Sequence, residues 1–210
     1  MASYLRASAS TQPFALPLFP LRTVLFPGGL LPLKIFEQRY IDMAKACLRD
    51  ETPFGVCLIT QGDEVSRGDD AAPPTFAPIG TVAQIVSWDM PELGILHVAT
   101  EGVVRFRVQK YAISPAGLTQ GEVTTRPAEA AVPLPEKHAP LAQLLELVAT
   151  RIGAHNFPAQ TRYDDASWVG YRLAELLPLP LSIKQTMLEV NDAAVRLEVL
   201  AQFLAKQGLI

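Results

Sequence analysis

The sequence predicts an α+β protein in which a β-rich module precedes a small helical bundle. Up to about residue 126, short apolar runs alternate with turns of Gly, Pro and Asp, a pattern typical of strands. From about residue 141, apolar residues recur at helical spacing. The stretch RPAEAAVPLPEKHAP between them is rich in Pro and Ala and has no periodicity. We therefore expect a β subdomain at 1–126, a linker at 127–140 and a helical subdomain at 141–210.

The β-rich part is predicted to contain seven strands and one helix. The strands are expected at 16–19, 31–35, 54–60, 80–88, 95–101, 103–112 and 117–125. A helix at 38–50 is predicted because Ile41, Ala44 and Leu48 share one helical face. The polar segment 61–78 is expected to be a mobile surface loop. TEGVVRFRV is interpreted as a hairpin turn at Glu101 and Gly102 between two paired strands.

The helical part is predicted to contain three or four helices. The first carries a stripe of Leu141, Leu144, Leu145, Val148 and Ile152, and the second carries Trp168, Tyr171 and Leu176. Ser182 is the expected N-cap of the third helix, which follows Pro180. Asn191 or Asp192 is expected to cap the last helix, whose apolar stripe is Val195, Val199, Leu200 and Phe203.

Composition excludes several classes of protein. Hydrophobic residues make up 49% of the 210 residues, which argues against disorder. The net charge of -3 means that the chain has no excess of positive charge for nonspecific nucleic-acid binding. Arg22 and four prolines interrupt the apolar run 16–33, so we do not expect a membrane span. The N-terminal residues lack the apolar region of a signal peptide. Two cysteines are too few for a disulfide-stapled secreted domain, which favours the cytoplasm.

The FPGG stretch at Phe26–Gly29 raises the question of a phosphate loop. A P-loop needs two glycines with four residues between them, followed at once by Lys-Ser/Thr and a helix. Here the glycines are adjacent, and strand-forming residues surround Lys34. The stretch is better interpreted as a Pro-Gly-Gly turn between two strands.

The spacing of residues gives no evidence for a metal site or a catalytic nucleophile. His97, His138 and His155 stand far apart with no HxxxH or CxxC partner. Cys57 lies within an apolar strand, where a packed thiol is expected, and no GxSxG occurs. We therefore expect no catalytic residue, no cofactor and no metal ligand.

Four ordered segments together resemble the N-terminal domain of Lon proteases. They are LPLFPLRTVLFPGGLLPLKIFEQRY, FGVCLITQG, PIGTVAQIVSWDMPELGILHVATEGVVRFRV and LLPLPLSIKQTMLEVNDAAVRLEVLAQFL, and the match spans about residues 14–206. The resemblance implies a PUA-like β-barrel packed with a helical bundle. It also implies capture of unfolded or tagged proteins, with a protease or chaperone as a further partner. No Walker motif or protease segment occurs in the chain, so a stand-alone, non-enzymatic, bacterial-type binding protein is expected.

Two binding functions remain open at this point. For polypeptide binding, six side chains are the candidate contacts: Phe14, Phe19, Phe26, Phe36, Arg105 and Arg107. The alternative for the four phenylalanines is that all belong to the core. An RNA-binding module of PUA type is the second function, and it would need a basic cleft from Arg105, Arg107, Lys110 and Arg126. The sequence does not define the oligomeric state.

Overall fold

The computed structural model describes residues 12–63, 74–153 and 157–209, which belong to two compact units. The first unit runs to Ala128 and the second begins at Glu129. Most of the predicted surface loop at 61–78 lies outside the described residues.

The described part of the first unit contains seven strands and one helix. The strands are β1 (Phe14–Leu21), β2 (Leu30–Ile35), β3 (Phe54–Gln61), β4 (Thr75–Phe76), β5 (Ile79–Glu92), β6 (Ile95–Ile113) and β7 (Thr119–Thr125). The helix α1 covers Gln38–Asp50, the range that the sequence predicts. It buries Ile41 and Ala44, while Leu48 is half-buried.

Five of these strands pair in a closed circuit. β1 pairs in parallel with β3 and antiparallel with β7, and β7, β6, β5 and β3 follow one another through antiparallel pairs. β4 pairs with β3, and β2 pairs with the first part of β6. The circuit gives the closed, barrel-like sheet expected for the fold, and the α+β prediction is confirmed.

The core of this unit has two clusters. One takes Leu16, Cys57, Val82, Phe106 and Val123 from the five strands of the circuit and therefore fills its interior. The other lies between α1 and the sheet. There the Phe19 ring stacks on the Tyr40 ring with centroids 4.0 Å apart.

The hairpin turn predicted at Glu101 and Gly102 is wrong, because β6 continues through both residues. The pairing of β6 with β5 shifts register beside Gly102. A Cβ atom at Gly102 would collide with the carbonyl oxygen of Phe26. The glycine therefore permits a close approach of two backbones rather than a reversal of the chain.

The described part of the second unit contains four α-helices. They are α2 (Ala139–Ile152), α3 (Ala166–Leu176), α4 (Leu181–Glu189) and α5 (Ala193–Lys206), and a short 3-10 helix at Glu136–His138 precedes them. Asp192 caps α5, as predicted, by accepting hydrogen bonds from the N–H groups of Ala194 and Val195. Ser182 is not the cap of α4, because Pro180 precedes the helix and its carbonyl accepts the first helical bonds.

The apolar stripe predicted for α5 is partly wrong. Val195 and Val199 are exposed, whereas Arg196, Leu197 and Leu200 are buried. The buried face of the helix therefore includes an arginine, which hydrophobic periodicity does not recognise.

Candidate functional site

The FPGG stretch forms the predicted tight turn. The N–H of Gly29 donates to the carbonyl of Phe26 at 2.9 Å, and Gly28 has a φ of 70°. A type II turn requires positive φ at its third residue, and proline is common at the second, where Pro27 lies. We call residues 22–29, which join β1 to β2, the signature turn.

The signature turn is fixed to the sheet by hydrogen bonds. Gly28 N–H donates to the carbonyl of Gly102 at 2.7 Å, and Gly102 N–H donates to Gly29 at 2.9 Å. The hydroxyl of Thr81 donates to the carbonyl of Leu25 at 2.5 Å. Since Gly28 and Gly29 both direct their N–H groups to carbonyls of the chain, they do not form a phosphate cradle.

The structure does not bring the six predicted peptide contacts together. Phe19, Phe26 and Arg105 are buried. Phe14 is half-buried, and Arg107 is exposed. Phe14 lies on β1 and Arg107 on β6, and Phe36 follows the end of β2.

The surface with most exposed apolar groups is a three-stranded part of the sheet. We call it the ribbon: β2, residues 85–92 of β5 and residues 95–101 of β6, which pair side by side. Four of the six large exposed apolar side chains of the described first unit lie on or beside it. They are Phe36 (54% exposed), Val86 (53%), Trp88 (59%) and Leu93 (99%), and the other two are Tyr111 and Ile113.

The ribbon carries a shallow groove of about 410 Å³. Its small side chains form one row across the strands, in which Pro32 pairs with Ala99 and Ala99 with Ser87. Two residues further along the ribbon, Lys34 pairs with His97 and His97 with Asp89. Trp88 also lines the groove.

Sequence reasoning missed this groove. QIVSWDM has apolar residues at both Ile85 and Val86, so alternation does not assign faces. The pairing of β5 with β6 shifts register between Ile85 and Ser87, and this shift breaks the alternation of faces along β5. The available signal was Trp88 beside Ser87 and Asp89, a large aromatic residue between two polar ones.

The residues proposed for an RNA cleft are arranged differently. Arg105 is buried, and Arg126 is half-buried. Lys110 pairs with Glu122 at 3.0 Å. Of these four residues, Arg107 is the exposed one that has no ion pair within the described part of the chain. A single arginine is too little charge to drive phosphate binding.

In the described residues, no three or more His, Cys, Asp or Glu side chains are placed to hold a metal ion. Both cysteines are free and buried, and burial raises the pKa of the Cys57 thiol, which opposes formation of a reactive thiolate. His155 lies outside the described residues. The helices described here are all too short or too polar to cross a membrane.

Charged side chains organise the second unit. We call residues 129–138, which precede α2, the leading segment. The carboxylate of Glu129 accepts hydrogen bonds from the buried guanidinium of Arg196 at 2.6 and 3.0 Å. It also accepts a bond from the Tyr171 hydroxyl at 2.6 Å. The predicted linker at 127–140 is thus attached to helices over much of its length.

The leading segment ends at a second charged contact. Lys137 Nζ lies 3.2 Å from a Glu198 carboxylate oxygen, and Nε2 of the buried His138 lies 3.9 Å from the same oxygen. Burial lowers the pKa of His138, and the neighbouring Lys137 lowers it further, while Glu198 opposes the shift. A groove of about 420 Å³ lies beside these residues, with Leu141 and Ala201 in its wall.

The five-strand circuit, with β2 added through β6 and α1 packed on the sheet, defines an α+β fold with a closed, barrel-like sheet. The family model of the ATP-dependent protease La (LON) substrate-binding domain matches residues 15–206. The chain belongs to that family, and the predicted resemblance is confirmed.

Solved structures and curated relatives agree with this assignment. The crystal structure of a Lon N-terminal domain protein from Xanthomonas campestris is 36% identical, with a TM-score of 0.72 over 91% of this chain and 98% of that chain. The N-terminal domain of the Mycobacterium avium complex Lon protease shares the fold, at 20% identity and a TM-score of 0.62 over the same shares.

Full-length relatives are much longer than the matched region. The Lon protease of Anaeromyxobacter dehalogenans is 34% identical over 46% of this chain and 11% of its own length. The Lon protease of Koribacter versatilis is 29% identical over 91% of this chain and 24% of its own length. The chain therefore spans at most about a quarter of these two relatives.

Proposed function

We propose that the chain binds unfolded or tagged polypeptides through the ribbon and performs no chemistry of its own. The observation that carries the proposal is the concentration of exposed Phe36, Val86, Trp88 and Leu93 on one part of the sheet. Large aromatic and aliphatic groups supply most of the binding energy at protein surfaces. Membership of a substrate-binding family supports the same conclusion.

Of the six contacts predicted from the sequence, the proposal keeps Phe36, which lies beside the ribbon at the end of β2. Phe14 and Arg107 stay as peripheral contacts because both reach solvent. Phe19, Phe26 and Arg105 are left out, because a buried side chain cannot touch a peptide at the surface. A protease or chaperone is the proposed recipient of the bound polypeptide, and the cytoplasm is the proposed location.

Binding to a permanently unfolded protein tests this function. A reduced, carboxymethylated model protein is titrated into the chain, and the folded form of the same protein serves as the reference ligand. We expect a complex with the unfolded form only. The triple variant Phe36→Ser/Trp88→Ser/Leu93→Ser should weaken it at least about tenfold, since each lost anchor costs on the order of 1 kcal/mol.

The matched control is Tyr111→Ser/Ile113→Ser, which removes the two large exposed apolar groups of the described first unit that lie away from the ribbon. This control should change the affinity by less than about twofold. An equal loss in both variants would place the binding surface elsewhere, and absence of any complex with the unfolded protein would refute the proposed function.

A further inference from the structure

We propose that the groove on the ribbon selects extended segments in which two apolar residues separate an acidic residue from a basic one. This inference rests on the proposed function and adds a substrate class to it. The groove supplies three features for the selection: a floor of small side chains, a cation at one end and an anion at the other.

The floor follows from the register of the three strands. Pro32, Ala99 and Ser87 occupy one cross-strand row, and paired residues point to the same face of a sheet. Neighbouring positions on that face carry Glu101 and Gln84 on one side and His97 on the other. A row of short side chains between longer ones makes a trough that crosses the strands.

The charges come from the next row, where Lys34 and Asp89 stand on either side of His97. All three side chains are exposed. Within the part of the chain that the structure describes, neither Lys34 nor Asp89 has an ion-pair partner within 4.0 Å. Both charges are therefore available to a ligand, and their opposite signs call for an occupant with one charge of each sign.

The distance between the strand positions that carry these charges sets the spacing in the ligand. Two strand spacings separate Lys34 from Asp89, which is about 10 Å. In the polyproline II conformation, which unfolded chains commonly adopt, residues three apart lie on one side and about 9 Å apart. An acidic residue at position i then meets Lys34 while a basic residue at i+3 meets Asp89. The two residues between them project to either side of the row of charges, and one of them lies over the floor.

Charge reversal provides the test, with fluorescence anisotropy of three labelled peptides that share one apolar centre. The first carries an acidic and a basic residue three apart, the second two acidic residues, and the third two basic residues. The wild-type chain should prefer the mixed peptide by about fivefold, given the strength of exposed ion pairs.

The two variants should move this preference in opposite directions. Lys34→Glu gives the groove an acidic residue at both ends, so the peptide with two basic residues becomes the best ligand. Asp89→Lys gives the groove a basic residue at both ends, so the peptide with two acidic residues becomes the best ligand. Lys45→Glu reverses an exposed charge on α1, outside the ribbon, and should keep the wild-type order.

Several outcomes would overturn the inference. One is the same order of affinities in wild type, Lys34→Glu and Asp89→Lys. Another is an RNA oligonucleotide that binds more tightly than every peptide and is lost in Lys34→Glu. A third is a dimer in sedimentation that Lys34→Glu converts to monomer, since a second copy would then occupy the groove. If the unfolded protein still binds in any of these cases, the proposed function survives; if it does not, both proposals fail.

Discussion

Each unit holds an irregular segment against its regular elements, and the two units do so by different means. The signature turn of the first unit is fixed by backbone hydrogen bonds to Gly102 and by the hydroxyl of Thr81. The leading segment of the second unit is fixed by charges, through Glu129 with Arg196 and through the contacts of Lys137 and His138 with Glu198.

The difference shows what two of the quoted stretches encode. FPGG at residues 26–29 and EGVVRF at residues 101–106 are far apart in sequence but meet at the contact between Gly28 and Gly102. They specify a close backbone approach and therefore mark the fold. The exposed groups that carry the proposed function, such as Trp88, lie outside that contact.

The largest loss of stability is expected when the buried charged contact between Glu129 and Arg196 is broken. In Glu129→Ala, the buried guanidinium of Arg196 loses its counter-ion, and breaking a buried pair from one side costs about 3–5 kcal/mol. We expect this loss in the free energy of unfolding measured with urea. Lys137→Ala, which breaks the exposed pair with Glu198, should leave the unfolding midpoint almost unchanged. Similar midpoints for both variants would mean that the leading segment does not depend on its buried charge.

A smaller loss of stability is expected when the uncharged contact between Gly102 and the signature turn is disturbed. In Gly102→Ala, the new Cβ atom meets the Phe26 carbonyl, and the turn must move away from the sheet. Overpacking of this kind costs roughly 1–3 kcal/mol, measured in the same urea experiment.

The control for Gly102→Ala is Gly94→Ala at the tip of the ribbon. Nothing lies within 4 Å of a Cβ there, although φ is 84°. Backbone strain alone costs about 1–2 kcal/mol. If Gly102→Ala costs no more than Gly94→Ala, the close approach of the two backbones is not what stabilises the signature turn.

The sequence predicts best what depends on local pattern. The range of α1 and the cap at Asp192 follow from periodicity and from side-chain chemistry within a few residues. Glu129 and Arg196 are 67 positions apart, and no local pattern joins them. An arginine on a helix reads as a solvated residue until its partner is known, which is why the stripe predicted for α5 was partly wrong.

The groove escaped prediction for a related reason. It exists only because β2 and β5 lie on opposite sides of β6, so that Lys34, His97 and Asp89 share one row. The predicted strands include these residues, but strand prediction does not give register or order. The six contacts chosen from the sequence therefore included side chains such as Phe26 that the fold buries.

The smallest expected effect is a dependence of stability on pH, in which the two units differ. Burial lowers the pKa of His138 in the folded chain below the value of about 6.5 that an unfolded chain has. Between these two pKa values the unfolded chain binds more protons, so stability falls as the pH drops below about 6.5. The loss is complete once the pH is below the folded pKa.

His138→Gln should remove this contribution, so the variant should lose less stability than wild type between neutral pH and mildly acidic pH in urea unfolding. Burial raises the pKa of Glu175, which acts in the opposite direction, and for that reason the variant is compared with wild type at each pH. His97→Gln, on the exposed ribbon, should follow wild type. The signature turn is held by backbone groups and a hydroxyl, which do not titrate in this range. If His138→Gln and wild type lose stability in parallel, the acid sensitivity of the second unit does not come from the leading segment.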